Sequence, residues 1–391
     1  MKKHSDKKFS TKKESGRMAD RITVLLSLFC ILVLMILLPA LPKKDFSENE
    51  NRYLSAFPQL TLSSIKDGSF MENMETYLSD HFPMRDFWIG LRSETERAIG
   101  KAEISDVLLA EDGYLIEKYR EPSGTERIIT SFQRFEKNME SKRPDCSVQV
   151  MLVPTAITIY EDRLPAGAVE YHQMDTISEI LSQTSLPSVD VYQTLFEHRD
   201  DGQLFYRTDH HWTTLGAYYA YQEYCRAAGF EPQPLEDMDA QVVTDSFQGT
   251  YYSKVNLWSA AKDSITIYTN PADKLTVNYQ DTEETTDSLY NLDYVKEKDK
   301  YSLFLDNLHS LVEITNETAE TNRQLLLVKD SYANSMVPFL VRHFSKIYVV
   351  DTRYYKSGPS GLAEEYPEIT DVLILYNLST MDTDTGIKGI F

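Results

Sequence analysis

Cysteine is scarce in this sequence: three residues in 391, at positions 30, 146 and 225. Three cysteines cannot build a disulfide scaffold, and no spacing around them reads as a zinc site. Cys30 falls inside an apolar run, so only Cys146 and Cys225 could bridge, or both stay free. Positive charge is also in short supply, with 40 Lys and Arg against 60 Asp and Glu and a formal net charge of -20. Such a surface repels phosphate backbones, which argues against a nucleic-acid partner. It does not hold an anionic polymer by bulk charge either. Internal repeats are missing, and so are low-complexity tracts beyond the first twenty residues. Core-forming residues are plentiful: 42% hydrophobic, with 25 Tyr and 17 Phe. That excludes general disorder, and the length suits one large domain or two ordinary ones.

The charge is unevenly placed. Residues 1–21 carry eight basic residues, from Lys2 to Arg21, against Asp6, Glu14 and Asp20, a local +5 that leaves -25 for the rest. Ile22 to Leu38 follows as an almost unbroken apolar run closed by Pro39. A run of about 17–25 apolar residues can cross a bilayer as a helix. A basic flank places the N-terminus in the cytoplasm and the bulk of the chain outside. A cleaved signal peptide has a shorter apolar stretch and a small-x-small site. Here Leu38 stands two residues before Ala40, which favours an uncleaved anchor. The expected organisation is a basic head over 1–21, an anchor over 22–39, a stalk with a helical segment over 40–105, and a main domain over 106–391.

Within the main domain the pattern is α/β. Val107 to Glu117 reads as a hairpin turning at Asp112-Gly113. Residues 124–141, 172–184 and 213–228 are helix-like. Strands are expected at Ser147–Pro154, Val189–Tyr192, Leu204–Tyr206, Gln324–Val328, Ile347–Val350 and Val372–Tyr376, with a helix over Ala333–His343. Residues 235–320 are rich in Thr, Tyr, Asn and Asp and read as a β-rich insertion. Strands alternating with helices imply a largely parallel sheet with helices on both faces, and a site at the strands' carboxyl ends.

Two segments carry chemistry. Leu325 to Val328 is a buried-strand run, followed by Lys329-Asp330-Ser331-Tyr332. A serine at such a turn is exposed near free N–H groups that favour developing negative charge. Simple capping of a helix by Asp330 or Ser331 is the alternative. Asp209-His210-His211-Trp212 is the second segment. A serine nucleophile needs a base, and the base needs an orienting carboxylate. Asp209 can hold His211 Nδ1–H and leave the other nitrogen to face Ser331. His210 is expected to point elsewhere, and Trp212 to wall the pocket. A metal site is the competing reading, since Asp-His-His also occurs in metal-dependent phosphoesterases of the DHH class. Those need further carboxylate motifs for a two-metal cage, and such a set is not evident, so no metal and no cofactor are expected.

Asp209-His210-His211-Trp212 followed by Thr213-Thr214-Leu215-Gly216-Ala217-Tyr218 resembles the DHHW-motif family of bacterial envelope proteins. That family is similar to the alginate O-acetyltransferases of the SGNH hydrolase superfamily. Glu50-Asn51-Arg52, Asp80-His81-Phe82-Pro83, Arg85-Asp86, Val153-Pro154-Thr155, Gly249-Thr250-Tyr251-Tyr252 and Asp330-Ser331-Tyr332-Ala333-Asn334 extend the likeness over most of residues 46–380. The resemblance implies an SGNH-hydrolase-like fold, circularly permuted so that Asp209 and His211 precede Ser331. It implies transfer or removal of O-acyl groups on envelope polysaccharide, together with a polytopic membrane O-acyltransferase partner. Lys329 departs from the Gly-Asp-Ser pattern, and no oxyanion-hole Gly or Asn is obvious. Asn377, after the Val372–Tyr376 strand, is the candidate oxyanion donor beside the Ser331 N–H. Arg353, Trp212 and Tyr332 are candidate substrate contacts. A non-catalytic SGNH-like scaffold protein is the alternative function.

Overall fold

A computed structural model describes residues 3–40, 42–168 and 171–391. The side chains of residues 3–19, and those of residues 34 and 39, lie outside this description. So does all of Lys2, and the charge expected of the basic head is therefore not described. The chain divides into two units, Met1–Arg92 and Ser93–Phe391.

In the first unit one helix runs from Lys3 to Ala40. Its stretch Asp20–Leu38 is long and apolar enough to cross a membrane, which fits an anchor or a signal sequence. Short strands Phe46–Ser47 and Arg52–Tyr53 pair, and helix Ser69–Asp80 follows. The quoted Glu-Asn-Arg and Asp-His-Phe-Pro segments meet here. Buried Asp80 accepts from Arg52 Nη2 at 2.5 Å and from Ser55 N at 2.8 Å, while Arg85 Nη1 reaches Glu50 at 2.6 Å.

The second unit is built on a seven-stranded sheet. Its strands are β1 (Ser147–Val153), β2 (Leu275–Tyr279), β3 (Glu284–Thr286), β4 (Leu311–Asn316), β5 (Gln324–Lys329), β6 (Lys346–Val350) and β7 (Asp371–Asn377), in the order β3-β2-β4-β6-β5-β7-β1. The run β6-β5-β7-β1 is parallel, and Leu325, Leu326, Leu327 and Val328 on β5 are completely buried. A strand covered on both faces has no polar side to alternate with, hence the continuous apolar run. Each such side chain contributes roughly 1.5–3 kcal/mol by leaving water.

The sheet is mixed rather than parallel throughout. β4 pairs antiparallel with β6 and with β2, and β2 pairs antiparallel with β3. All three antiparallel strands come from the Thr- and Asn-rich segment, which lengthens the main sheet. A short turn through residues 280–283 joins β2 to β3, a length that permits only antiparallel pairing. The same segment also forms a separate strand pair, Asp239–Phe247 with Asp263–Thr269, and a helix, Thr250–Val255.

Helix Thr125–Lys142 turns Ile128, Phe132, Phe135 and Met139 inward at helical spacing. The expected strands at 189–192 and 204–206 are only isolated bridges, Val150 with Ser188 and Phe205 with Trp212. Those runs are too short to compete with the helix Tyr192–Glu197 and the loop around residue 209. The helix expected over 333–343 is a 3₁₀ turn, Ser331–Ser335, and one α-turn, Val337–Leu340, because Pro338 lacks the N–H that a longer helix needs. Cys146 and Cys225 are both free.

Candidate active site

β5 delivers Ser331 to the sheet's carboxyl edge. Asp330 caps the 3₁₀ turn by accepting from Tyr332 N at 2.9 Å, and its other oxygen accepts from Asn377 N at 2.7 Å and Asn377 Nδ2 at 2.6 Å. One carboxylate thereby ties the serine turn to the end of β7. Burial pushes the Asp330 carboxyl up to about 6. The Ser331 amide is the first of the turn and has no intrahelical acceptor.

Asp209 and His211 do not reach this edge from a sheet strand. They lie on the loop that the Phe205–Trp212 bridge closes, just before helix Thr214–Ala228. Asp263, itself buried, accepts from Thr208 N at 3.0 Å, Thr208 Oγ1 at 2.7 Å and Arg207 N at 3.1 Å, and so fixes the start of the loop. Trp212 Nε1 fixes its end, shared between Tyr332 O and Ser335 Oγ at 2.9 Å each. That pin brings the loop against the serine turn.

The resulting chain of contacts is short. Asp209 Oδ1 lies 2.6 Å from His211 Nδ1, and His211 Nε2 lies 2.7 Å from Ser331 Oγ. The second Asp209 oxygen accepts from Thr250 N at 2.8 Å and Thr250 Oγ1 at 3.1 Å. Gly249 permits that approach, since a Cβ there would fall 2.1 Å from Asp209 Oδ2. Tyr301 lies flat on the His211 ring. Burial, followed by neighbouring His210, brings the His211 imidazole down to about 4, so it is neutral at pH 7. Burial opposes the charge on Asp209, but His210 and His211 outweigh it and hold the carboxyl well below its ordinary range. A neutral imidazole oriented by a carboxylate, with its free nitrogen on a serine hydroxyl, can accept a proton from that hydroxyl.

His210 points away from Ser331. Its Nδ1 lies 2.8 Å from Thr250 Oγ1, and its ring tilts against that of His211 at 3.7 Å. Burial disfavours its charge, but Asp209 more than compensates and raises its pKa. Ligand atoms of Asp209, His210 and His211 lie within 4.8 Å of one another. They make a poor cation site, because Asp209 Oδ1 and His211 Nδ1 face each other across one proton, and His211 Nε2 is taken by Ser331.

The four other candidate residues are all held by contacts within the protein, although Asn377 also lines a cleft beside His210. Both amide hydrogens of Asn377 are engaged, by Asp330 and by Thr380 Oγ1 at 2.7 Å, so it braces the turn and has no spare donor for an oxyanion. Arg353 is chelated by Asp351, from Nε at 2.9 Å and Nη2 at 2.5 Å, and Lys329 Nζ stands 3.7 Å from the same carboxylate. Trp212 is fully buried and is a pin rather than a pocket wall. Tyr332 is equally buried, with its hydroxyl donating to His210 O. Sequence reasoning missed Tyr301, Thr250 and Asp263. Thr250 and Gly249 sit in a quoted family segment, while Tyr301 is one of 25 tyrosines without a local signature.

A family profile described as DHHW protein matches residues 119–350, more than half of the chain. The chain belongs to the DHHW family. A crystal structure of a DHHW family protein from Eubacterium siraeum is 26% identical with a TM-score of 0.64, covering 74% of this chain and 97% of that one. Bacillus cereus PatB1, solved with a sulfonyl adduct, is 16% identical with a TM-score of 0.61 over 73% of this chain and 98% of its own, a likeness of fold. In sequence, the chain is 23% identical over 208 residues to the "Probable alginate O-acetylase AlgJ" of Pseudomonas syringae pv. tomato, matching 51% of this chain and 53% of that protein. It thus spans about half the length of that curated relative.

Proposed function

We propose that this DHHW protein is an extracytoplasmic, serine-dependent O-acyltransferase or esterase of cell-envelope polysaccharide, with a circularly permuted SGNH-like site. The observation that carries the reading is the chain Asp209–His211–Ser331, with contacts of 2.6 and 2.7 Å across 120 residues of sequence. Ser331 Oγ attacks an acyl carbonyl as His211 Nε2 takes its proton. The Ser331 N–H, at the start of the 3₁₀ turn, faces the developing oxyanion. His211 then returns the proton to the leaving oxygen. A sugar hydroxyl or water resolves the acyl-enzyme by the reverse route. The similarity to a probable alginate O-acetylase supports acetyl as the group and polysaccharide as the class. The Asp20–Leu38 helix would hold the domain at the outer face of the membrane, beside a polytopic O-acyltransferase that supplies acyl groups.

A second reading, a scaffold that binds without turnover, is favoured by one observation: Asn377 has no amide hydrogen left for an oxyanion. A fluorophosphonate probe separates the two. Intact-mass analysis should show one adduct on the wild type, mapping to Ser331, and none on Ser331→Ala. An unlabelled wild type would leave only the scaffold.

A further inference from the structure

A cleft of about 410 Å³ opens beside His210, within the size range of small-ligand sites. It lies at the carboxyl ends of neighbouring strands β7 and β1, whose continuations supply Ser379, Thr380 and Thr155 to its wall. Parallel sheets bind ligands at that edge. His210 connects the cleft to the reactive pair, since its ring packs on that of His211, which is bonded to Ser331.

Every lysine and arginine lining this cleft is paired with a carboxylate, and a further lining carboxylate, Asp382, accepts from Gly124 N at 2.5 Å. The cations are Lys118, Arg120 and Lys254. Lys118 pairs with Glu103, and Lys254 with Glu117. Arg120 Nη2 lies 2.5 Å from Asp106 Oδ1. An anionic polymer entering here would have to displace carboxylates already seated on each cation, on a protein with a formal net charge of -20. A hydroxyl-rich ring meets no such barrier. Paired carboxylates keep free lone pairs, and the hydroxyls of Ser379 and Thr380, which each accept one internal bond, from Gln173 Nε2 and Asn377 Nδ2, keep their own hydrogens to donate.

We propose that this cleft is the acceptor subsite and that it takes a neutral, hydroxyl-rich glycan in preference to a polyuronate. The proposal rests on the serine reading only for the subsite's role as acceptor; the binding preference needs no turnover. It is tested with the full-length Ser331→Ala protein in detergent, using saturation-transfer-difference NMR titrations at 0.15 M salt. The probes are cellotetraose, chitotetraose and tetramannuronate. At least one neutral tetramer should bind at least tenfold more tightly than tetramannuronate. Adding Glu117→Gln, which leaves Lys254 uncompensated, should narrow that gap severalfold. Tetramannuronate binding as tightly as the neutral tetramers would overturn the proposal, as would no binding of any probe, or an unchanged gap in the double variant. Because Ser331→Ala performs no chemistry, a failure of the serine reading shows in the fluorophosphonate experiment and leaves this outcome untouched.

Discussion

His211 lies face to face on Tyr301, with ring centroids 3.6 Å apart and planes 9° from parallel. Tyr301 Oη also donates to Ser331 O at 3.0 Å, so one side chain covers the imidazole and steadies the serine turn. Burial holds the imidazole down to about 4. The base works when neutral, so ester hydrolysis should persist as pH falls and be lost through about pH 4. Tyr301→Ala admits water to the ring and relieves the shift. Its acid limb in a kcat/KM profile should move up by one pH unit or more, whereas Tyr301→Phe should leave the limb in place and slow turnover about tenfold, the scale of a hydrogen bond. An unmoved limb in Tyr301→Ala would refute the covering role.

Ser331→Ala and His211→Ala should each lower hydrolysis of a small acetyl ester by about 10³-fold or more. His210→Ala should stay within about tenfold of the wild type, because His210 bonds Thr250 and not Ser331. Steady-state rates on purified variants check this. An essential His210 would reassign the base.

Gly249→Ala places a methyl group 2.1 Å from Asp209 Oδ2. The backbone must shift and Asp209 loses its Thr250 bonds. The expected result is a loss of kcat of about 10²-fold or more, with circular dichroism close to the wild type. Full activity in a folded variant would show that Asp209 need not be held here.

Trp212→Phe keeps the buried ring but removes the donor shared by Tyr332 O and Ser335 Oγ. Ser335 Oγ keeps a bond from Tyr301 Oη at 3.1 Å and Tyr332 O one from Ser335 Oγ at 3.3 Å, so the expected cost is that of one lost hydrogen bond, about 0.5–1.5 kcal/mol. Urea midpoints of the two proteins measure it. A change below about 0.5 kcal/mol would mean that the pin is dispensable.

Asp330 gives a stability test with a definite sign. Its carboxyl is raised to about 6 by burial, against an ordinary 3.8. A raised acid stabilises the fold below its unfolded value, and that contribution fades as pH rises through the folded value. Asp330→Asn lacks this dependence. Between pH 4 and pH 7 the stability difference should shift toward the variant, by up to about 3 kcal/mol at 1.36 kcal/mol per unit. Urea unfolding at several pH values reads this directly.

The parallel half of the sheet was legible because β5 and β7 are continuous apolar runs bounded by polar turns. The antiparallel half was not, since Leu275–Tyr279 and Leu311–Asn316 alternate weakly among many Thr and Asn residues. Ser331, His211 and Asp209 stood out because their residue types announce chemistry at short spacing. The roles of Asn377 and Arg353 depend on Asp330 and Asp351, carboxylates that local sequence cannot aim. Tyr301 stacks on a residue 90 positions away, and no periodicity encodes such a contact.

The bond between His211 and Ser331 closes a loop of 120 residues. Between them in sequence lie Gly249 and Thr250, which seat Asp209, and Tyr301, which covers the ring. A ribosome therefore finishes Asp209 and His211 long before it reaches Ser331. The Asp209–His211–Ser331 chain of contacts can form only after Ser331 has been made, so a nascent chain that stops short of it cannot complete the arrangement.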